Sequence, residues 1–549
     1  MRRLQVILVL LLSLLVYKGA FAAAGDQLRY LPVQNAGRIK PYDSFAKEML
    51  EIVYGKSTFE GRAAPEIIFT WMLSPTAWED KKIFEVRNHE VLKALQLPVD
   101  QRYFSGKEIF SNEHFQMVLQ ELQAKRESKE KLTPYFQALQ RLENQLVIFR
   151  EIAAGNMLQL IPPQEGTAWL SVAQFQGGQQ QAFSDMTKAF VDHIGGIAQG
   201  VPASQQEQTA KALDEAVLKF REMAKANNPE LYNNDTKVNL EVFYNNFHPF
   251  RWAYILYMLA SVTILVVWTM NKPGLMKLGW VFAGCGFALH TFGFVIRMYL
   301  MDRAPVTNMY ETVVWMSWGA VVFSAILEII YKYRFIFFAG TLGGMVALIV
   351  ADSAPAVLDP TLQPLEAVLR SNYWLTVHVM TITISYAAFF LAFVLGDIGL
   401  VYYIKGEEKN QDKIKAIANS VYRAMQIGVA FLAPGIILGG IWADYSWGRF
   451  WGWDPKETWA LIALLGYLAV LHGRLGGWFR NFGMIAAGVV TFSLVIMAWY
   501  GVNFVLGAGL HSYGFGAGGV EYVAAFVAAH FLLVIYASLV RKKSTELVR

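Results

Sequence analysis

From Trp252 onward the chain alternates long apolar runs with short polar connections. Nine of these runs reach or approach the roughly 20 residues of helix that cross a bilayer. They lie near 252–270, 277–299, 310–331, 335–352, 374–403, 420–441, 457–474, 483–505 and 520–540. The fourth is short and Gly-rich, which makes it the weakest of the set. Before Trp252 the pattern is different. Residues 24–247 are polar, and Phe115–Lys125, Leu132–Ala154 and Gln205–Ala226 carry apolar residues at i, i+3, i+4. Asp185–Ile197 does so more weakly. Gly155 and Pro162-Pro163 punctuate the segment, Gly177–Gln181 reads as a loop or turn, and Leu31–Phe45 reads as extended. At the start, Met1-Arg2-Arg3, a short apolar run Leu4–Val16 and the small residues Ala20–Gly25 have the layout of a secretory signal cleaved near Ala22 or Ala23. An uncleaved anchor is the alternative. The pattern therefore predicts an all-α, polytopic helical membrane protein. Its parts are a signal peptide (1–23), an extracytoplasmic, mainly helical domain (24–247) and a membrane domain of about nine spans (248–549).

Composition agrees with this. Of 549 residues 55% are hydrophobic and 17% charged, against roughly 25% charged in an average soluble chain. The net charge of +5 comes from connections between spans and forms no basic stripe, which argues against a nucleic-acid partner. The single cysteine, Cys285, lies inside an apolar run, so disulfides, CxxC chemistry and thiolate metal clusters are excluded within this chain. Lysines and arginines such as Lys272, Lys332, Lys405, Arg474 and Arg541 fall in every second connection. The rule that basic loops stay inside then places the C-terminus in the cytoplasm. An odd number of spans puts residue 250 outside, where a signal peptide would deliver it.

Candidate chemistry concentrates in Trp442–Trp459, where Trp442, Trp447, Trp451, Trp453 and Trp459 stand within eighteen residues together with Tyr445 and Phe450. Such a shelf suits a membrane face and a large flat ligand. Asp454-Pro455-Lys456-Glu457 reads as a helix start, with Asp as N-cap and Pro at the first helical position. His378 and His511 fall on the same outer face as this shelf, and His511 sits among glycines that let backbone approach a bulky group. Two imidazoles on one iron, with the macrocycle edge-on against indoles, point to haem b. The plainer reading is two interfacial histidines. His472, near the inner end of the seventh span, fits a second haem or an interfacial hydrogen bond. His290 and His530 lie near mid-membrane, where buried hydrogen bonding is expected. His89, His114 and His193 read as surface or capping residues. Arg297 and Glu311 are placed to pair, Arg449 and Lys456 to meet haem propionates or solvent, and Asp397 and Glu328 to snorkel.

On these residues, 250–549 resembles the CcsA-type subunit of the system II cytochrome c synthase, within the wider group carrying the tryptophan-rich (WWD) loop. The likeness rests on Trp447–Trp459, on Trp374-Leu-Thr-Val-His378-Val with Ser385-Tyr-Ala-Ala, on Gly501–Gly514 around His511, and on Arg297, Pro305, Asn308, Tyr310 and Glu311. The resemblance implies that His378 and His511 ligate an external haem held against Trp442, Trp447, Trp451, Trp453, Asp454 and Trp459, and that His472 ligates an inner haem. It implies a holocytochrome c synthase at the bacterial inner membrane, joining haem to the CxxCH cysteines of an apocytochrome c kept reduced by a thiol pathway. It also implies a CcsB (ResB-like) partner, which supplies the second inner ligand unless His290 does. Asp302-Arg303 departs from the Gly-His common in relatives, which puts haem contact by that loop in doubt. Residues 24–247 do not fit the CcsB half. The rival functions are a haem exporter or chaperone that never attaches its cargo, and a b-type electron-transfer protein. The second class pairs histidines about 13 or 14 residues apart within its helices, and no such spacing occurs in this chain.

Overall fold

The computed structural model describes residues 25–128, 132–232, 235–354, 357–364, 371–506 and 519–547. The expected signal peptide and His511 lie outside the described residues. The chain divides into two compact units, Met1–Phe247 and His248–Arg549.

The first unit is mostly helical, with short strands that the apolar pattern did not reveal. β1 (Pro32–Asn35) and β2 (Arg38–Pro41) form a hairpin whose two turn residues, Ala36 and Gly37, both take positive φ. That is the backbone a two-residue hairpin requires. The helix α1 (Tyr42–Tyr54) follows at once, so the stretch read as extended ends at Pro41. α2 (Phe115–Glu127) and α3 (Pro134–Ala153) precede β3 (Gln159–Ile161) and β4 (Leu170–Ser171), which complete a sheet of order β2-β1-β3-β4. Strands of two to four residues are too short to show alternation, which is why they are silent in the sequence. α4 begins at Gly178 rather than Asp185 and runs to Ala198. Its first turns are held by Gln181 donating to Asp185 at 2.8 Å, four residues on. α5 (Ala203–Asn227) and α6 (Asp235–Phe247) complete the unit.

Its core includes Phe45, Phe69, Trp71 and Phe84, all fully buried. Ion pairs are buried beside it. Arg38 grips Glu241 with two bonds of 2.8 Å, Ser44 donates to the same carboxylate at 2.6 Å, and Lys40 pairs with Glu48. Burial pushes the Lys40 ammonium below its usual range and the Glu48 carboxyl above its own, each against the pull of the other.

In the second unit, nine helices among the described residues are long and apolar enough to cross a membrane. They are built on α7 (Pro249–Met270), α8 (Met276–Met301), α9 (Met309–Tyr331), α10 (Phe335–Ser353), α11 (Met380–Ile404), α12 (Gln411–Trp447), α13 (Pro455–Leu475), α14 (Asn481–Val490) and α15 (Val520–Leu547). A turn of π-helix, Leu375–Val379, leads into α11, and a longer one, Met497–Leu506, continues the path of α14. α11 is the most enclosed span, packed against α9, α12 and α14, whereas α15 lies at the edge.

Two polar expectations change here and a third is met. Asp397 does not simply snorkel, because its carboxylate lies 3.4 Å from His530 Nε2. Glu328 accepts the backbone N–H of Arg334 at 2.8 Å and closes the turn after α9. His290 is fully buried, with Nε2 against the Val314 carbonyl (3.1 Å) and Nδ1 against the Tyr257 hydroxyl (3.2 Å). The carbonyl can only accept, so Nε2 carries the proton and Nδ1 accepts from tyrosine. Both nitrogens are engaged in the hydrogen-bonding role expected of a mid-membrane histidine, which leaves none for an iron.

Candidate haem site at one end of the bundle

α12 is far longer than the apolar run suggests. It carries its basic N-terminal turns, passes Pro434 without ending, and takes Trp442–Trp447 into its last turns. Trp442 is therefore a helical residue, not a loop residue. Gly448, in the left-handed region, ends the helix by donating to Asp444 O at 2.8 Å. The loop that follows is organised by one carboxylate. Glu457 Oε2 accepts the N–H groups of Gly452 (2.8 Å) and Asp454 (3.2 Å), while Oε1 meets Arg449 (3.3 Å). Asp454 in turn caps α13, accepting from Lys456 N at 3.0 Å, with Pro455 at the first helical position. This is the helix start read from Asp454-Pro455-Lys456-Glu457.

Against this corner lies a cavity of about 350 Å³, within the range of small-molecule and cofactor sites. His378, from the π-helical turn, stands in its wall. Its Nδ1 lies 2.8 Å from the Gly435 carbonyl. Because that oxygen can only accept, Nδ1 carries the proton and the lone pair sits on Nε2. Metal-binding histidines are commonly held this way, by a carbonyl on the other ring nitrogen. Trp442 meets the imidazole edge-on at 5.7 Å. Gly439 makes room for it, since a Cβ there would stand 2.5 Å from His378 Cε1. Trp451, Lys456 and Glu457 line the same space, and Lys456 Nζ reaches Asn503 Oδ1 at 3.3 Å.

Of the residues singled out in the sequence, the structure brings His378, Trp442 and Trp451 to one cavity. Trp447, Trp453, Asp454 and Trp459 are not among its lining residues. Trp447 is stacked by Arg449 at 5.8 Å, and Asp454 works as a cap. Trp453 holds a positive φ of 56° and is 70% exposed, edge-on to Trp451. Arg449 is held by Glu457, so of the two proposed propionate partners only Lys456 faces the cavity. His472 is exposed at the opposite end of α13, 17 residues beyond Pro455 and hence about 25 Å along the helix. Its Nδ1 donates to Leu468 O at 2.7 Å, which again puts the lone pair on Nε2.

The sequence reading gave several lining residues no role in the site, although Asn308 and the Gly501–Gly514 segment carried the resemblance. Thr307 and Asn308 come from the loop after α8, despite its Asp302-Arg303 departure, and Asp359 and Gln363 come from the loop after α10. Trp499 and Asn503 come from the second π-helical segment. A π-turn has no residue signature, and only Asn308, as the N-cap of α9, left a local signal.

A family model described as Cytochrome C assembly protein matches residues 306–511, from the lip of this cavity to His511. Protein NrfI of Wolinella succinogenes is 27% identical over 504 residues, covering 87% of this chain and 53% of its own length. The chain thus spans about half of that relative. A match over so much of this chain reaches well into the first unit. Cytochrome c biogenesis protein CcsA of Guillardia theta is 33% identical over 237 residues, covering 38% of this chain and 76% of its own. The CcsA protein of Prochlorococcus marinus strain SARG is 30% identical over 316 residues and matched over 97% of its length. With the family model and these relatives falling on the helices that build the cavity, the chain belongs to the CcsA family of cytochrome c biogenesis proteins.

Proposed function

We propose that this protein carries haem through the membrane and presents it at this cavity for attachment to the CxxCH cysteines of an apocytochrome c. The observation that carries the reading is His378, its lone pair fixed on Nε2, in a cavity walled by Trp442 and Trp451 with Lys456 at hand. Haem is the substrate, and the residues present fit it. An imidazole suits the iron, indoles suit the macrocycle and an ammonium suits a propionate carboxylate. His511 is the second axial ligand in this reading. Clamping from both faces leaves the vinyl edge open to an incoming peptide. Each thiol then adds across a vinyl group, with sulfur bonding the carbon next to the ring and the proton going to the terminal carbon, so no net electron is exchanged. The protein's share of the work is orientation, holding both vinyl carbons where the two thiols arrive.

In the same reading His472 ligates a second haem on the inner side. Its exposure on the helix surface leaves the other axial position to a CcsB-like partner subunit. In this reading the cavity end faces outside, the C-terminus is cytoplasmic and residues 24–247 form an extracytoplasmic domain. A thiol-reducing pathway keeps the acceptor's cysteines reduced.

The test is an absorption spectrum of the purified protein with its partner, alongside co-expression with a CxxCH acceptor. Native protein shows bis-histidine haem and yields covalent cytochrome. His378→Ala and His511→Ala lose the external haem signal and the covalent product while protein level holds. Native spectra in both variants overturn the site. Haem that is bound but never attached returns the protein to the exporter or chaperone class.

A further inference from the structure

The cavity is not walled by helices alone. Part of it is two irregular loops, 302–308 after α8 and 357–364 after α10, which are separated in the chain by two whole helices, α9 and α10. Beneath them lies a buried cluster of three charges. Glu311 is 1% exposed, Arg297 1% and Arg303 7%. Glu311 Oε1 accepts from Arg297 Nη2 (2.8 Å) and Nε (3.3 Å). Its Oε2 accepts from Arg303 Nη1 (2.9 Å) and from both the N–H (3.0 Å) and the hydroxyl (2.8 Å) of Thr307. Each arginine then uses its remaining fork on the other loop. Arg297 Nη1 donates to Pro360 O at 2.9 Å and Arg303 Nη2 to Gln363 O at 2.8 Å. Asn308 adds a third tie to Asp359 O at 3.2 Å.

We propose that Arg297, Arg303 and Glu311 are positioning residues for the haem cavity, an ion cluster that locks the two loops together as the part of its wall no helix supplies. This rests on the haem reading above. A planar fork is what the task requires, because one guanidinium reaches a carboxylate and a carbonyl at once while an ammonium holds a single direction less rigidly. Both oxygens of Glu311, all three nitrogens of the Arg297 guanidinium and both Nη atoms of Arg303 are hydrogen-bonded. Within the cluster only the buried Arg303 Nε is left unmatched among the described residues, so the loops are tied at several fixed points. Thr307, Asn308, Asp359 and Gln363 therefore reach the cavity as a fixed surface, and the cluster acts on haem through them.

The test uses the purified full-length protein with its partner, loaded with haem. It follows haem transfer to excess apomyoglobin, with thermal unfolding measured on the same samples. Arg303→Met is expected to accelerate haem loss by about tenfold or more, the scale on which losing an outer-shell partner costs a metal site. Arg303→Lys, which keeps the charge pair but loses the tie to Gln363, is expected to fall between Met and native with an unchanged unfolding temperature. A native rate of haem loss in folded Arg303→Met overturns the proposal. Should Met prevent accumulation, a native rate in Arg303→Lys overturns it equally. His378→Ala, run in parallel, separates the two claims. If it keeps native haem, the haem reading fails. If it loses haem while the Arg303 variants behave as native, only the positioning role fails.

Discussion

At the scale of single residues, the site depends on what one glycine allows. His378 is the residue that any reading of the sequence picks out, but its ring fits only because Gly439 has no side chain. Gly439→Val should therefore remove the external haem signal much as His378→Ala does, with the histidine still present, and Gly439→Ala should weaken it less. A native absorption spectrum in Gly439→Val would show that the imidazole works from another position. Lys456 carries a second prediction. A charge-assisted bond to a carboxylate contributes about 1.5–3 kcal/mol, so Lys456→Met should raise the rate of haem loss by about tenfold or more at about 1.4 kcal/mol per decade. Haem esterified at its propionates should be indifferent to the change, which a competition experiment with the two porphyrins would read. His378, Trp442 and Trp451 were legible because rare, bulky residue types clustered on one predicted membrane face. Lys456 was legible only as one of two equal candidates, and Glu457, holding Arg449 away, decided between them.

At the scale of elements, α12 and α13 share one corner, and the loop between them is fastened to the start of α13. Asp454→Ala removes the cap and should cost about 1 kcal/mol, the usual value of such a cap. The unfolding temperature should drop by a few degrees and Trp451 and Trp453 should become more accessible to a fluorescence quencher. Unchanged quenching would mean that the loop is ordered by packing alone. Nine apolar runs were read and nine helices of spanning length stand among the described residues, since hydrocarbon forces every backbone group to find its partner within the segment. The ends were less legible. Polar residues continue a helix as readily as they leave it, so α12 extended past its apolar run in both directions. The two π-helical segments left no trace, because an extra residue in a turn changes the aim of side chains without changing the apolar pattern.

At the scale of the whole molecule, contacts between distant parts of the sequence set what each unit can do. In the first unit Arg38 and Glu241, 203 residues apart, join the opening hairpin to the last helix before the membrane segment. Glu241→Ala takes from Arg38 its two-bonded carboxylate, leaving Glu48 at a looser 3.8 Å, and should destabilise that unit by up to about 3–5 kcal/mol. Faster limited proteolysis within residues 25–247 of the full-length protein would register it, and native resistance would show that the pair is dispensable. Replacing both Lys40 and Glu48 by apolar residues of similar volume should instead be neutral or stabilising by about 1–4 kcal/mol, because the desolvation opposing each charge disappears with it. The same proteolysis rates decide this.

The sequence by itself determined the membrane character, the number and order of the spans, the family and the residues proposed to bear the chemistry. Those follow from composition and short-range pattern, which water and hydrocarbon impose locally. Only the tertiary structure decided which tryptophans face the cavity, which cation reaches it and which loops close it. Those depend on packing and hydrogen bonds between segments tens to hundreds of residues apart, and no local pattern encodes them.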